Sequence, residues 1–285
     1  MIYIFCSLYC EASILIKQFQ LTKNPVNTRF QEFHNETEDI LLTITGVGEI
    51  AAAAAVSSIC TAYPPTAADL LINIGTCARD PAEDKVFLCN KIVEKATGKT
   101  FYPDVLYCHD FCEEMVITGM RPCNRTDKDR LSVAAYDGAL YDMEAASIYQ
   151  AGSYFLGPHQ MLFIKLVSDH GNASEVSKDR VEKLMVQHQD VFCGFIRQLL
   201  QISLKIAGSK EPLDEETKQL TDRLCADMHC SKVMGDSLRM QIRYLSLTGE
   251  DVSVVIQQMY EDGLLPCKDK REGKIRFEEF KRRLF

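Results

Sequence analysis

Short apolar runs that end in glycine or acidic residues alternate with helical stretches over the first two-thirds of this chain. The β-branched and aliphatic runs predict strands at residues 2–5, 40–45, 70–74, 86–93, 116–118 and 161–167. Helices are predicted between and after them, at residues 11–19, 49–63, 143–150 and 177–206. Strands that alternate with helices are typical of α/β proteins. We therefore expect a central mixed, twisted sheet flanked by helices.

The composition changes near Ala207, where a polar, charge-rich tail begins and runs to the end of the chain. We predict a catalytic domain over residues 1–208 and a small, mainly helical extension over residues 209–285. Leu238, Ile242 and Leu245 fall on one helical face, and residues 252–260 form a second amphipathic pattern. The end of the tail, residues 268–283, is locally basic, and a hairpin together with helices in the tail would form a winged-helix-like module that binds nucleic acid. Docking of the apolar faces on the main domain or on a second subunit is the favoured alternative.

The charge balance and the cysteine content limit the partners of the chain. A net charge of −8 and a pI near 5.4 provide no cationic field for nucleic acid or anionic membranes. No uninterrupted apolar stretch is long enough for a membrane helix, and no export signal is evident at the start. The twelve cysteines therefore indicate reduced thiols in a cytoplasmic protein. The two C-x3-C pairs, which begin at Cys6 and Cys108, lack zinc-type spacing, so we predict no metal and no cofactor.

Polar residues and glycines at the ends of the apolar runs are the candidate site. In open α/β sheets, ligands bind beyond the carboxyl ends of the strands. Four segments of this chain place such residues there, and we expect them to line one crevice. These residues are Glu11, Gly46, Gly48, Gly75, Thr76, Ser168 and Asp169.

Five segments resemble, in the same order, those of methylthioadenosine/S-adenosylhomocysteine nucleosidases. They are the glutamate segment Ser7-Leu-Tyr-Cys-Glu, the Gly-x-Gly and alanine helix after Leu41, the strand end Asn73-Ile-Gly-Thr-Cys, the helix start Asp142-Met-Glu-Ala-Ala and the strand end Leu166-Val-Ser-Asp. The resemblance covers about the first 207 residues. It implies the three-layer fold of the purine nucleoside phosphorylase/uridine phosphorylase superfamily and a purine nucleoside as the small-molecule partner. We also predict a homodimer.

The resemblance implies a role for each carboxylate. Asp169 protonates or hydrogen-bonds purine N7, Glu144 accepts hydrogen bonds from the ribose hydroxyls, and Glu11 activates the attacking water. Met143 packs on the sugar. Breaking an N-glycosidic bond needs such an acid at the base and such an acceptor at the sugar.

Three functions remain open at this point. We favour hydrolysis, because Glu49 follows Gly48 directly and would repel phosphate. A phosphorylase that uses phosphate is the first alternative, supported by Arg79 and Lys165. A nucleoside-binding or scaffold protein without catalysis is the second. It is motivated by an altered base pocket, because Thr118-Gly-Met-Arg-Pro lacks the family's aspartate and stacking aromatic. Phe101 or Tyr102 is a candidate replacement for that aromatic.

Overall fold

A computed structural model describes residues 1–25, 29–35, 39–80, 83–123, 138–172, 176–208, 215–248 and 252–284. The chain divides into two compact units, Met1–Ala207 and Gly208–Phe285. The first unit contains every strand among these residues, and the second contains helices. The predicted α/β architecture is confirmed.

Ten strands of the first unit form one mixed sheet. In chain order they are β1 (Ile2–Cys6), β2 (Thr22–Lys23), β3 (Gln31–Asn35), β4 (Ile40–Ile44), β5 (Leu70–Ala78), β6 (Val86–Glu94), β7 (Thr100–Phe101), β8 (Cys112–Thr118), β9 (Leu140–Asp142) and β10 (Met161–Asp169). Four helices accompany them: α1 (Tyr9–Gln18), α2 (Glu49–Ala62), α3 (Ala145–Gly152) and α4 (Lys178–Gly208).

The strand pairing closes part of the sheet on itself. β5 pairs in parallel with β1 on one side and with β10 on the other. From β10 the pairing continues through β6, β8 and β9 and returns to β5. Five strands thus form a closed ring, and β1, β4, β3 and β2 extend from it. This ring brings the carboxyl ends of β5 and β10 next to each other.

The two faces of the sheet carry separate hydrophobic cores. Along β1, Ile2 and Ile4 point into one core, which α1 and α4 cover, whereas Tyr3 and Phe5 point into the other, which α2 and α3 cover. Alternation of side chains along a strand explains why one strand feeds both cores. Since both faces are covered, β1, β5 and β10 are apolar at nearly every position.

Two predicted boundaries are wrong in a way that matters for the site. The strand predicted to end at residue 74 continues to Ala78, so Gly75 and Thr76 lie within β5. The helix predicted from residue 143 begins at Ala145, so Met143 and Glu144 precede it. In both places the chain is held by pairing and hydrogen bonds with distant segments, which local sequence patterns do not report.

The second unit has its own helices and its own core. The helices are α5 (Glu215–Asp227), α6 (Lys232–Thr248), α7 (Val252–Glu261) and α8 (Lys270–Leu284). Leu238, Ile242 and Leu245 share one buried cluster, as their spacing predicts. The winged-helix interpretation is wrong, because the described residues of this unit form helices and no strand for a hairpin, and the basic end lies in α8. Among the described residues, no helix has both the length and the apolar character that crossing a membrane would require.

Candidate active site

Glu11 is buried, with 2% of its surface exposed, and its carboxylate is fully engaged. Oε2 accepts hydrogen bonds from the backbone N–H groups of Ser7 (3.1 Å) and Leu8 (3.0 Å) at the start of α1. Oε1 accepts from the backbone N–H (2.7 Å) and the hydroxyl (2.8 Å) of Thr76. A carboxylate offers about four acceptor sites, so these four donors satisfy it. Two predicted site residues, Glu11 and Thr76, are thus in direct contact.

Gly75 makes this contact possible. A Cβ built at Gly75 would lie 3.0 Å from Oε1 and 3.2 Å from Cδ of Glu11. Such distances are shorter than ordinary van der Waals contact, so any side chain at this position would displace the carboxylate. The glycine is therefore required by the close approach of Glu11 to β5.

Glu144 lies at the N-terminus of α2. Its Oε1 accepts a hydrogen bond from the backbone N–H of Gly48 at 2.8 Å, and only 6% of the residue is exposed. Gly46 and Gly48 adopt φ values of 82° and 97°, which residues with a side chain rarely reach. The positive end of the α2 dipole adds to the stabilisation of this carboxylate.

The electrostatic surroundings of Glu144 work against its ionisation. Burial raises the pKa of Glu144 to about 7, and the charges of Asp142 and Glu11 act in the same direction. Lys165 and the Gly48 N–H lower it, but to a smaller extent. Of these causes, burial is the largest and the charge of Glu11 the smallest.

A fully buried ion pair that the sequence analysis did not identify lies beside Glu144. Lys165 Nζ is 2.8 Å from Asp142 Oδ2, and the two side chains are 1% and 0% exposed. Burial alone lowers the pKa of Lys165, but the Asp142 and Glu144 carboxylates more than compensate and raise it overall. The signal in the sequence is a lysine inside the otherwise apolar strand β10, which requires an acidic partner elsewhere.

Asp142 also organises the start of α3. Its Oδ2 accepts from the backbone N–H of Ala145 (2.8 Å), and its Oδ1 accepts from the Thr118 hydroxyl (2.7 Å). The Thr118 oxygen in turn accepts from the backbone N–H of Ala146 (2.9 Å). Two free N–H groups of the first helical turn are thereby satisfied, and Glu144 is held directly before that turn.

Asp169 ends β10 and closes a tight turn. Its Oδ1 accepts from the backbone N–H groups of Gly171 (2.7 Å) and Asn172 (2.9 Å), and its Oδ2 accepts from the Ser168 hydroxyl (2.9 Å). Ser168 also lies 3.2 Å from the carbonyl oxygen of Cys77 on β5. Since α4 begins only at Lys178, Asp169 does not cap that helix. Oδ2 has one side-chain partner among the described residues, the Ser168 hydroxyl.

A cleft of about 720 Å³ lies beside these groups. It is lined by the turn from Gly46 to Gly48, by Glu49, by Phe30 and by Met120, among others. Its volume suits a small organic molecule. None of the three predicted carboxylates lines this cleft. Gly48 connects the cleft to one of them, because Gly48 lines the cleft and its N–H donates to Glu144. We take the carboxylates as the chemical centre, because their burial and hydrogen bonding give them defined positions.

The two predicted phosphate ligands have protein partners instead. Lys165 is paired with Asp142, as described above. The Arg79 guanidinium lies over the Phe87 ring at 4.6 Å, and its Nη2 is 3.4 Å from both Glu83 and Glu114. Lys165 is thus paired directly, whereas Arg79 contacts carboxylates only through Nη2, and its buried Nε and Nη1 have no hydrogen-bond partner among the described residues.

The candidates for base stacking also differ from expectation. Phe101 stacks on Tyr149 with ring centroids 5.1 Å apart, so one face of its ring is already covered. Tyr102 is 60% exposed. Met120, at the altered family position, lines the cleft with 69% of its surface exposed. Met143 is half-buried beside Glu144.

The geometry gives this site a defined chemical capacity. Buried carboxylates with fixed orientation accept protons and stabilise positive charge more strongly than exposed ones, because little water screens them. Glu11 and Glu144 are both buried, and Asp169 ends the strand that pairs with the strand carrying Thr76.

Comparisons with known proteins agree with this architecture. No protein-family model and no curated protein matches the sequence. Among solved structures, the apo form of 5′-methylthioadenosine nucleosidase from Arabidopsis thaliana superposes with a TM-score of 0.60 at 18% identity, over 70% of this chain and 95% of that one. The chain has the nucleosidase fold. The predicted resemblance in fold is confirmed.

Two further structures show the breadth of the nucleosidase fold. The 5′-methylthioadenosine/S-adenosylhomocysteine nucleosidase from Neisseria meningitidis, in complex with methylthio-immucillin-A, has a TM-score of 0.52 at 16% identity and covers 65% of this chain and 96% of that one. Futalosine hydrolase of Helicobacter pylori has a TM-score of 0.52 at 11% identity, over 70% and 97% of the two chains. The same fold thus occurs in proteins named for different substrates.

Proposed function

We propose that the first unit is an N-ribosyl hydrolase that releases the base of a purine nucleoside with water. The observation that carries this proposal is the buried Glu11 carboxylate, held against Thr76 in the strand that pairs with β10, which Asp169 ends. Cleavage of an N-glycosidic bond requires a base for water and an acceptor for the sugar, and we assign these roles to Glu11 and Glu144.

Glu11 acts as the general base in this proposal. All four of its acceptor positions are occupied, and three of the donors are backbone N–H groups that cannot turn away. The fourth is the Thr76 hydroxyl, which rotates about a single bond. When it rotates, Oε1 gains a free lone pair that accepts the proton of the attacking water. Thr76 thus positions Glu11 in the resting site and releases it for reaction.

Glu144 binds the ribose hydroxyls and stabilises the positive charge that develops on the sugar. The Gly48 N–H fixes Oε1, which leaves Oε2 for the sugar. Met143 packs on the sugar face beside it. Because burial raises the pKa of Glu144 to about 7, hydroxyl binding by the ionised form strengthens as the pH rises through neutrality.

Asp169 supports departure of the base. Its Oδ1 is held by two backbone N–H groups, so Oδ2 is the oxygen that carries a proton to purine N7. The Ser168 hydroxyl orients Oδ2 and is itself within hydrogen-bond distance of the Cys77 carbonyl.

Water is favoured over phosphate as the nucleophile. Lys165 and Arg79 are both engaged with carboxylates, and Glu49 lines the cleft next to Gly46 and Gly48. Burial, with the charges of Glu94 and Asp142, raises the pKa of Glu49. In its ionised form Glu49 repels a phosphate dianion.

The substrate class follows from the fold and from the cleft. Proteins of this fold are named for methylthioadenosine, S-adenosylhomocysteine and futalosine, which are all nucleosides with an extended 5′ substituent. The cleft beside Gly48 has the volume to hold such a substituent. We propose a nucleosidase of the methylthioadenosine/S-adenosylhomocysteine type, active as a homodimer, with residues 209–285 as a non-catalytic extension.

Release of free base from a panel of nucleosides tests this function. The full chain is incubated with methylthioadenosine, S-adenosylhomocysteine, adenosine or inosine, with and without phosphate, and free base is measured by chromatography. We expect release without phosphate, and a loss of about 100- to 10,000-fold in Glu11→Gln and Asp169→Asn. Glu32→Gln is the matched control, because Glu32 is as buried as Glu11 but lies in β3 and hydrogen-bonds Asn24.

The same experiment separates the alternatives. Strict dependence on phosphate would replace hydrolysis by phosphorolysis. Tight nucleoside binding without turnover, unaffected by Asp169→Asn, would indicate a binding protein.

A further inference from the structure

Two cysteines of the second unit meet at the C-terminal end of helix α5. The backbone N–H of Cys230 donates to the carbonyl oxygen of Cys225 at 3.0 Å, and that of His229 donates to Ala226 at 3.0 Å. His229 has a φ of 47°. These are the two hydrogen bonds and the left-handed residue of a Schellman motif, in which the side chains of the first and last residues pack together. Here those two residues are Cys225 and Cys230.

The two thiols lie side by side across this cap, because the Schellman motif brings its first and last residues together, and both residues are half-buried. A backbone hydrogen bond between two residues fixes a short distance between their Cα atoms, which is the condition for a disulfide without backbone movement. The motif therefore presents a preformed dithiol.

The surroundings distinguish the two thiols. Cys225 Sγ lies against Gly235 of α6, 3.8 Å from where a Cβ would be, and Arg239 Nη1 lies 3.4 Å from the same point. Arg239 is held there by Asp222 at 3.1 Å and by Asp236 at 3.6 Å. Burial raises the pKa of both thiols, that of Cys230 to about 11, and the Arg239 guanidinium acts to lower both. Because Cys225 Sγ and Arg239 Nη1 lie against the same point of Gly235, we take Cys225 as the thiol that reacts first.

A third thiol lies nearby but is engaged elsewhere. Cys267 is 5% exposed, and its Sγ lies 3.8 Å from the carbonyl oxygen of Leu264. Among the described residues, no group of three or more His, Cys, Asp or Glu side chains is arranged to hold a metal ion. The pair is thus better suited to two-thiol chemistry than to metal binding.

We propose that Cys225 and Cys230 form an oxidative modification site, at which a peroxide converts the dithiol to a disulfide across the C-terminal cap of α5. The Cys225 thiolate attacks one oxygen of hydrogen peroxide, the O–O bond breaks, and a sulfenic acid and hydroxide form. The Cys230 thiolate then attacks the Cys225 sulfur, the S–S bond forms, and a second hydroxide leaves. The two thiol protons convert both hydroxides to water, so one peroxide is reduced and two thiols are oxidised.

Mass spectrometry of one peptide tests the proposal. Cleavage after Arg223 and Lys232 by trypsin gives a peptide, residues 224–232, that contains Cys225 and Cys230 and no other cysteine. The folded full chain is treated with hydrogen peroxide, its remaining thiols are alkylated under denaturing conditions, and the digest is measured. We expect this peptide without alkyl groups and about 2 Da lighter than the dithiol, and we expect dithiothreitol to restore two alkylation sites.

Variants separate the pair from the other thiols. In Cys225→Ser and Cys230→Ser the bridged peptide is absent, and circular dichroism checks that both variants are folded. Cys108→Ser, which removes an exposed thiol of the first unit, leaves the bridge unchanged.

Three results would overturn the proposal. The first is full alkylation of both cysteines at peroxide doses that oxidise Cys108. The second is a disulfide that joins peptide 224–232 to peptide 244–268, which would identify Cys267 as the partner. The third is oxidation confined to Met228.

Discussion

At the residue scale, the position of Glu11 depends on the absence of a side chain at Gly75. Gly75→Ala would place a methyl group 3.0 Å from Oε1 of Glu11 and force the carboxylate away from Thr76. We expect this variant to lose at least about tenfold in base release and about 1–3 kcal/mol in the free energy of unfolding. Steady-state kinetics and denaturant titration measure the two quantities.

Gly194→Ala is the matched control for this change. Gly194 lies in α4, and a Cβ there would meet nothing within 4 Å. Alanine should raise the free energy of unfolding by about 0.5–1 kcal/mol, because it restricts the unfolded chain and favours the helix. If Gly75→Ala behaves like Gly194→Ala, the close approach of Glu11 to β5 is not required.

Glu144 should make stability depend on pH. Its pKa is raised from 4.5 to about 7 by burial, so the folded state binds this proton more tightly than the unfolded state does. The contribution of protonated Glu144 to the free energy of unfolding is therefore complete below the pKa of the unfolded state, and it is lost as the pH rises through about 7. By about pH 8 the loss is on the order of 3 kcal/mol.

Glu144→Gln removes this titration and keeps the side-chain volume. As the pH rises, the free energy of unfolding of the wild type should fall relative to that of the variant. Denaturant titration of both proteins at several pH values measures this difference. A difference that does not vary between about pH 5 and 8 would contradict the assignment.

At the scale of secondary-structure elements, one buried ion pair joins three of them. Lys165 lies in β10, and Asp142 ends β9 and holds the first turn of α3. Both charges are out of water, so their cost is offset only while both are present. The start of α3, which Glu144 directly precedes, is therefore held by the Lys165–Asp142 ion pair, and this pair includes none of the three predicted site carboxylates.

Lys165→Met should break this arrangement. It leaves Asp142 and Glu144 buried without their cation, so we expect a loss of about 3–5 kcal/mol in the free energy of unfolding. The pKa of Glu144 should rise further, since Lys165 lowers it in the wild type.

The double variant Asp142→Asn with Lys165→Met tests the electrostatic origin of this loss. It should recover much of the stability, because neither uncompensated charge remains at the pair. Equal stability of the single and double variants, measured by denaturant titration, would show that the loss arises from packing alone.

At the scale of the whole molecule, the two units have separate cores. The clusters of the first unit draw on residues up to Leu200, and the cluster of the second draws on Leu224 to Phe280. A unit with its own core has what it needs to fold alone. We therefore expect a chain truncated after Gly208 to keep the thermal stability and the base-release activity of the first unit.

Calorimetry measures the thermal stability of the truncated chain, and the base-release assay measures its activity. The full chain should show the transition of the truncated chain plus a second one. A truncated chain that aggregates, or that changes its oligomeric state in light scattering, would instead support docking of the extension.

The local sequence patterns determined the elements and the identity of several site residues. Apolar runs marked β1, β4, β5, β6 and β10, because strands covered on both faces must be apolar at nearly every position. The glycines at positions 46 and 48 indicated a turn. In the structure both have positive φ, a backbone conformation that few other residues adopt. Both requirements fall on the residue type at each position, so they can be read from the sequence before the partners of each strand are known.

Tertiary structure decided how those residues are combined. The hydrogen bonds between Glu11 and Thr76 and between Glu144 and Gly48 join segments 65 and 96 residues apart. The pairing of Lys165 with Asp142, and the closure of the ring through β5 and β10, likewise depend on contacts between distant segments. Local propensity contains no information on such contacts, because burial and charge pairing are set by which strands become neighbours. The sequence therefore predicted the carboxylates and Thr76, and only the fold revealed that Thr76 binds Glu11 and that Lys165 pairs with Asp142.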